Sequence, residues 1–147
     1  MGINLNFADV EEYSMIPEGP NRVTIKEAKH NPGGGRTSTG KVAQPCFEIV
    51  VMPNVPPSHP LADQKIRSWV YYTGKSAYYA KLFFEALYQQ PFDEEVDIEP
   101  SDMLGMGIVA NVFHEETEYQ PKKDGRPIGN KKKGIFAKVD SWAPDVE

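Results

Sequence analysis

Proline and glycine interrupt this chain so often that only short apolar runs survive between them. Thirteen prolines and twelve glycines fall among 147 residues. They cluster at Ile16-Pro17-Glu18-Gly19-Pro20, at Pro32-Gly33-Gly34-Gly35 and from Pro53 to Pro60. Short apolar runs bounded by turn residues predict a small β-rich domain. The length suits one domain with one core. An aromatic content of 11% argues against global disorder. No apolar run approaches the roughly 18 residues of a membrane span, so no membrane partner is expected.

Between the breaks, the alternation of side chains predicts five strands and one helix. Residues 1–20 read as an extended N-terminal arm ending in a turn. A first strand follows at Arg22 to Ala28, with Val23 and Ile25 on one face. Pro32 to Lys41 is a flexible loop. Cys46 to Met52 is a second, β-branched strand, and Gln64 to Thr73 a third. Ser76 caps a helix running to about Tyr88, with Tyr79, Leu82, Phe83, Ala86 and Leu87 as its apolar stripe. An acidic connector spans Gln90 to Asp102. Met106 to Phe113 is a fourth strand and Ile135 to Val139 a fifth. Three strands, one helix, then two strands is the order of a five-stranded Greek-key OB-fold barrel with a helix between strands 3 and 4. The expected organisation is an arm over 1–20, the OB-fold domain over 21–142, and a short acidic stub over 143–147.

The third strand carries the most chemistry. One parity holds Ile66, Ser68, Val70 and Tyr72, a set suited to a core. The other holds Lys65, Arg67, Trp69 and Tyr71, spaced about 6–7 Å apart along one face. Single-stranded nucleic acid suits such a row, because its bases stack on aromatic rings and its phosphates need cations. A duplex hides those base faces in its own stack. The opposing reading is that Trp69 sits in a second small core beneath the N-terminal arm, since aromatic residues favour strands in any case. Lys65 and Arg67 weigh against it, because charged residues are seldom fully buried.

The charge distribution points the same way. The formal net charge is -5. Acids occupy the arm (Asp9, Glu11, Glu12 and Glu18) and the stretch from Glu85 to Asp102, neither of which contains a Lys or Arg. From Thr117 to Lys133, six cations (Lys122, Lys123, Arg126, Lys131, Lys132 and Lys133) face only two acids, Glu118 and Asp124. An acidic chain can thus carry a basic face. In an OB-fold the ligand lies across strands 2 and 3, flanked by the loops joining strands 1 to 2 and 4 to 5. Here the first loop carries Arg36 and Lys41. The second is the basic segment, which also holds Tyr119. Trp69 and Tyr71 are therefore the expected stacking residues, with Tyr119 and Phe47 as further candidates. Phe47 alternates with Ile49 and Val51, which also fits a core position. Lys65, Arg67, Arg36, Lys41, Lys122, Lys123, Arg126, Lys131, Lys132 and Lys133 are the expected phosphate contacts.

Competing chemistries find less support. Gly35 to Lys41 fits the spacing G-x-x-x-x-G-K, but Val42 replaces the Mg²⁺-binding hydroxyl and a strand follows instead of a helix. Thr73-Gly74-Lys75-Ser76 joins a strand to a helix, but Trp69 stands where the first glycine belongs. Asp93, Glu94, Glu95 and Asp97 lack EF-hand spacing. His114 has no second histidine four residues on. Three scattered histidines and one cysteine do not make a zinc finger. No metal, cofactor or catalytic residue is expected. The lone Cys46 fits a reducing compartment, and Met1 to Phe7 lacks the features of a secretory signal. A cytoplasmic location is expected.

Several segments resemble those of bacteriophage single-stranded DNA-binding proteins with an OB-fold. They are the Ile16-Pro17-Glu18-Gly19 turn before Val23-Thr24-Ile25, Phe47-Glu48-Ile49, and Leu82-Phe83-Phe84-Glu85-Ala86-Leu87. Met103-Leu104-Gly105 before Ile108-Val109-Ala110-Asn111-Val112, and Phe136-Ala137-Lys138-Val139, are similar too. The resemblance runs from about Phe7 to Trp142. It implies non-enzymatic coating of single-stranded DNA during phage replication, recombination or repair, in the host cytoplasm. It also implies recruitment of phage or host replication and recombination proteins, often through an acidic tail. Only Asp145-Val146-Glu147 stands here in that place. The alternative is a phage structural or host-interaction protein, in which the barrel is a scaffold and the aromatics form a protein-binding patch.

Overall fold

The computed structural model describes residues 2–4, 15–36 and 39–146. Asp9, Glu11 and Glu12 of the expected arm, Phe7, and Glu147 of the stub lie outside the described residues. The chain is mainly β: β1 (Gly19–Asn31), β2 (Cys46–Pro53), β3 (Ile66–Tyr71), α1 (Ala77–Tyr88), β4 (Gly107–Tyr119), β5 (Lys122–Lys123), β6 (Arg126–Pro127) and β7 (Lys132–Ala143). Five strands form one antiparallel sheet in the order β3-β2-β1-β4-β7, and β5 and β6 pair separately. Among the described residues no ladder joins β3 to β7, so the sheet is open where a closed barrel was expected. No helix of the described residues is long and apolar enough to cross a membrane.

Two β-bulges decide which side chains face inward. In β1, Ile25 pairs with Val51 and Glu27 with Val50, leaving Lys26 as the extra residue. A bulge reverses the parity of everything beyond it. Val23 and Ile25 are buried before it, and afterwards Ala28 packs against the core while Lys29 is exposed. The backbone around the bulge is tied to the approach to β4: Ile25 N–H donates to Met106 O at 3.0 Å, and Gly105 N–H donates to Ile25 O at 2.9 Å. In β7, Ser141 pairs with Asn111 and Val139 with Val112, so Asp140 is the extra residue. Val139 and Trp142 consequently both pack on the core although they are three residues apart.

The core lies between the inner face of the sheet and α1. Ile25, Ile49, Val51 and Ile108 from the sheet meet Phe83 and Met103, all almost wholly buried. The helix begins where expected, although Ser76 makes no side-chain capping bond. Its buried face is Ala80, Phe83, Phe84, Ala86 and Leu87. Tyr79 and Leu82, expected in that stripe, are exposed. Phe84 takes the place of Leu82 because the aromatic ring reaches Phe47, with ring centres 5.5 Å apart. Residues 143–146 do not hang free: Arg22 pairs with Asp145 at 3.1 Å, and Gln89 Nε2 donates to Asp145 O at 3.1 Å.

Strands β1, β4 and β7 run well beyond the stretches whose alternation marks them in the sequence. The far half of β4, from Phe113 to Tyr119, pairs only with β7. Neither face of that two-stranded ribbon needs a continuous apolar set, so the sequence there reads as a polar loop.

Candidate nucleic-acid interface

The parity expected in β3 is the one observed. Ile66 and Val70 are buried, whereas Arg67, Trp69 and Tyr71 are exposed. Trp69 is 51% exposed and Tyr71 43%. Lys65, just before the strand, is exposed as well. Residues directly opposite in an antiparallel ladder share a face. Tyr71 therefore lies beside Cys46, Trp69 beside Glu48 and Arg67 beside Val50. One strand further, Lys29 lies opposite Glu48 and Glu27 opposite Val50. Rows running across three strands thus build one outer face, with Lys29, Glu48 and Trp69 in its central row.

Phe47 is not on that face. It pairs with Val70 on the inner side, is 8% exposed, and packs against His30, Tyr72 and Phe84, with ring centres 5.1 to 5.5 Å away. Its alternation with Ile49 and Val51 dictates this, so Phe47 is a core residue. His30 Nε2 and the Tyr72 hydroxyl meet at 2.8 Å above it.

Arg67 is partly engaged: its Nη1 lies 3.3 Å from Glu48 Oε1. Lys65, Lys41, Lys122, Lys123, Arg126, Lys131, Lys132 and Lys133 have no ion-pair partner among the described residues. Arg36 lies in the β1–β2 connection, bridged to Val42, and its Nη1 donates to Gly40 O at 2.9 Å. The second basic segment is not a loose loop. Lys122 and Lys123 lie on β5, paired with Pro127 and Arg126 of β6. Asp124 and Gly125, both at positive φ, make the tight turn between them, as an Asp-Gly pair favours. Lys132 and Lys133 open β7 opposite Tyr119 and Glu118. Lys122, Lys123 and Arg126 are therefore gathered at one hairpin tip. Register keeps them apart from Arg36 and Lys41: the hairpin projects past the Gly19 end of β1, whereas the β1–β2 connection leaves from Asn31.

Tyr119 is exposed, and its ring stands edge-on to Phe136, centres 5.8 Å apart. Gly134 makes room for this pair, since a Cβ there would sit 3.0 to 3.1 Å from both rings. Phe136 is itself exposed. The sequence reading placed it in the fifth strand without a role, although its two-residue spacing from Lys138 already puts both on one side.

Beside the β3 face lies a cleft of about 330 Å³ between β3, α1 and β7. Trp69 and Tyr71 line one wall, Tyr79 and Leu82 the helix side, and Asp140 and Trp142 the β7 side. Tyr79 is 69% exposed and edge-on to the exposed Tyr78, centres 5.6 Å apart. Tyr79 is expected from the sequence to lie in the apolar stripe and Tyr78 has no expected role; both border the buried face of the helix and point outward. Lys26 and Lys29 escape a sequence reading because the bulge at Lys26 is not written in residue type, whereas the outward side of Glu48 follows from its alternation with Phe47 and Ile49. Lys26, Lys29, Glu48 and Arg67 line a charged groove on the same outer face. Burial, and secondarily the Glu48 carboxylate, push the Cys46 thiol above its ordinary range.

No known protein family and no curated protein sequence matches this chain. The functional reading therefore rests on the chemistry of the face itself.

Proposed function

We propose that the chain binds single-stranded DNA with little sequence preference, as a non-enzymatic coat protein of replication, recombination or repair. The observation that carries this is the exposure of Trp69 and Tyr71 side by side with Lys65 and Arg67. Rings of that size on a strand lose favourable burial when left in water, and stacked bases would restore it. The sheet order and the helix between the third and fourth long strands support reading the fold as an OB-fold, here open between β3 and β7. In such a fold the β1–β2 connection and the β4–β7 hairpin border the binding face, so their cations meet phosphates. The resemblance to phage single-stranded DNA-binding proteins agrees with this reading.

The test is a fluorescence anisotropy titration of a labelled mixed-sequence oligonucleotide and its matched duplex, at two salt concentrations. The single strand is expected to bind and the duplex not. Affinity is expected to fall with a log–log slope of about −0.7 per neutralised phosphate. Absence of single-strand binding at low salt overturns the proposal.

One observation favours a second reading. Tyr79 and Leu82 are exposed beside the β3 and β7 edges, whose backbone groups could pair with an added peptide strand. A protein partner held that way would respond only weakly to salt.

A further inference from the structure

Glu48 is out of place on a face meant for a polyanion. It lies in the central row, directly opposite Trp69 on one side and Lys29 on the other. It is 27% exposed, and its Oε1 is held by Arg67 at 3.3 Å. Beyond Arg67, the carboxylate has no hydrogen-bond or ion-pair partner among the described residues. Directly opposed residues have Cβ atoms about 4.5–5.5 Å apart. The carboxylate thus borders the edge of any base stacked on the Trp69 ring.

A carboxylate can only accept hydrogen bonds. Cytosine N4, adenine N6 and the guanine N1 and N2 edge all donate. Thymine and uracil instead present carbonyl oxygens on either side of a single N3–H, and those oxygens repel the carboxylate. Resting on the single-strand reading above, and narrowing its sequence tolerance at one position, we propose that Glu48 makes the Trp69 subsite selective for bases bearing an exocyclic amino group, against thymine and uracil. Arg67 acts through Glu48 as a positioning residue, fixing Oε1 so that Oε2 faces the base. Lys29 on the opposite side of the row supplies the phosphate contact that keeps the subsite attractive overall.

Deoxycytidine and deoxyuridine differ at position 4 only by an amino group in place of an oxo group, so strands built from them isolate this contact from stacking. The experiment compares the affinity of the full chain for labelled oligo-dC and oligo-dU above neutral pH, where cytosine N3 stays unprotonated. A well-formed base-edge contact is expected to favour oligo-dC by about five- to one-hundred-fold. In Glu48→Gln, which can both donate and accept, the ratio is expected to fall toward one, chiefly through tighter oligo-dU binding. Equal wild-type affinities overturn the inference and leave the single-strand reading standing. A dC preference that persists in Glu48→Gln overturns it too, since another group then makes the choice. Failure to bind either strand overturns both. The wild-type comparison needs no variant, so the inference remains testable even if Glu48→Gln misfolds.

Discussion

Trp69→Ala and Phe47→Ala separate the proposed binding face from the core, because the two residues occupy opposite faces of paired strands. Trp69 is 51% exposed. Aromatic side chains bury about 150–250 Å² when fully covered, so roughly 100 Å² is at stake here. At about 25 cal/mol per Å² the loss of stability is at most ~2.5 kcal/mol. Against a native stability of about 5–15 kcal/mol, more than ~98% of the variant stays folded at 25 °C. Its affinity for single-stranded DNA is nonetheless expected to fall by the stacking contribution of one base, about 1–3 kcal/mol, or roughly 5- to 150-fold in Kd. Phe47→Ala has the opposite signature. Its ring is 8% exposed and meets three others, so truncation is expected to cost about 3–5 kcal/mol of stability. Affinity per folded molecule is expected to survive. Urea unfolding gives the first quantity and anisotropy below the unfolding transition gives the second. Trp69→Ala binding with wild-type affinity would refute the stacking assignment. Phe47→Ala losing affinity without stability would refute the placement of the two faces.

Four further outcomes follow from the geometry. Tyr79→Ala, at a largely exposed position, should change stability by no more than about 0.5 kcal/mol yet weaken single-strand binding up to about tenfold in a titration. Gly33→Ala places a Cβ 2.6 Å from Ala43 O at a φ of +75°, so it should cost more than about 1 kcal/mol and abolish amide protection at Gly34 and Ala43 in hydrogen exchange. Cys46, buried with a raised thiol pKa, should resist alkylation until the protein unfolds. Since the folded state then holds the proton more tightly, stability should decline as the pH climbs past the thiol's ordinary 9.0, seen as a falling Tm. Charge reversal of Lys132 and Lys133 to Glu should leave the fold intact by circular dichroism but lower affinity and flatten its salt dependence by about 1.4 in log–log slope.

What could be read from residue type was the set of features written as a period. The alternation of Ile66, Arg67, Ser68, Trp69, Val70 and Tyr71 is self-contained within six residues, and both faces follow from it. The helix is legible for the same reason, within one position of rotation. That rotation matters, because Tyr79 and Leu82 border the stripe, and only the packing of Phe84 on Phe47 decides which side of it is buried. The bulges at Lys26 and Asp140 left no trace. Each changes parity through one extra backbone residue of ordinary type, and so turns Lys29 to the outer face and Trp142 to the core against the alternation of their strands. The Asp124-Gly125 turn had a clear local signal, but the surrounding cations obscured the hairpin by making the whole segment look like solvent-exposed loop.

The open seam between β3 and β7 ties the fold to its chemistry. Unpaired strand edges invite association with other chains, and natural proteins blunt them with short strands and charged residues. Here β3 spans only six residues and carries Arg67, while β7 carries Lys132, Lys133 and Lys138. Lys138 is balanced by Glu115 at 2.9 Å and Arg67 by Glu48, whereas Lys132 and Lys133 have no ion pair among the described residues. A cation needed only to repel another strand can be neutralised locally or left alone at little cost in stability. A cation left unpaired keeps its full charge for a polyanion. The engaged cations therefore lie in the pleated middle of the sheet edges, and the unengaged ones where β7 leaves the core. Edge protection and the proposed phosphate attraction thus draw on one charge pattern, in a chain whose net charge is -5.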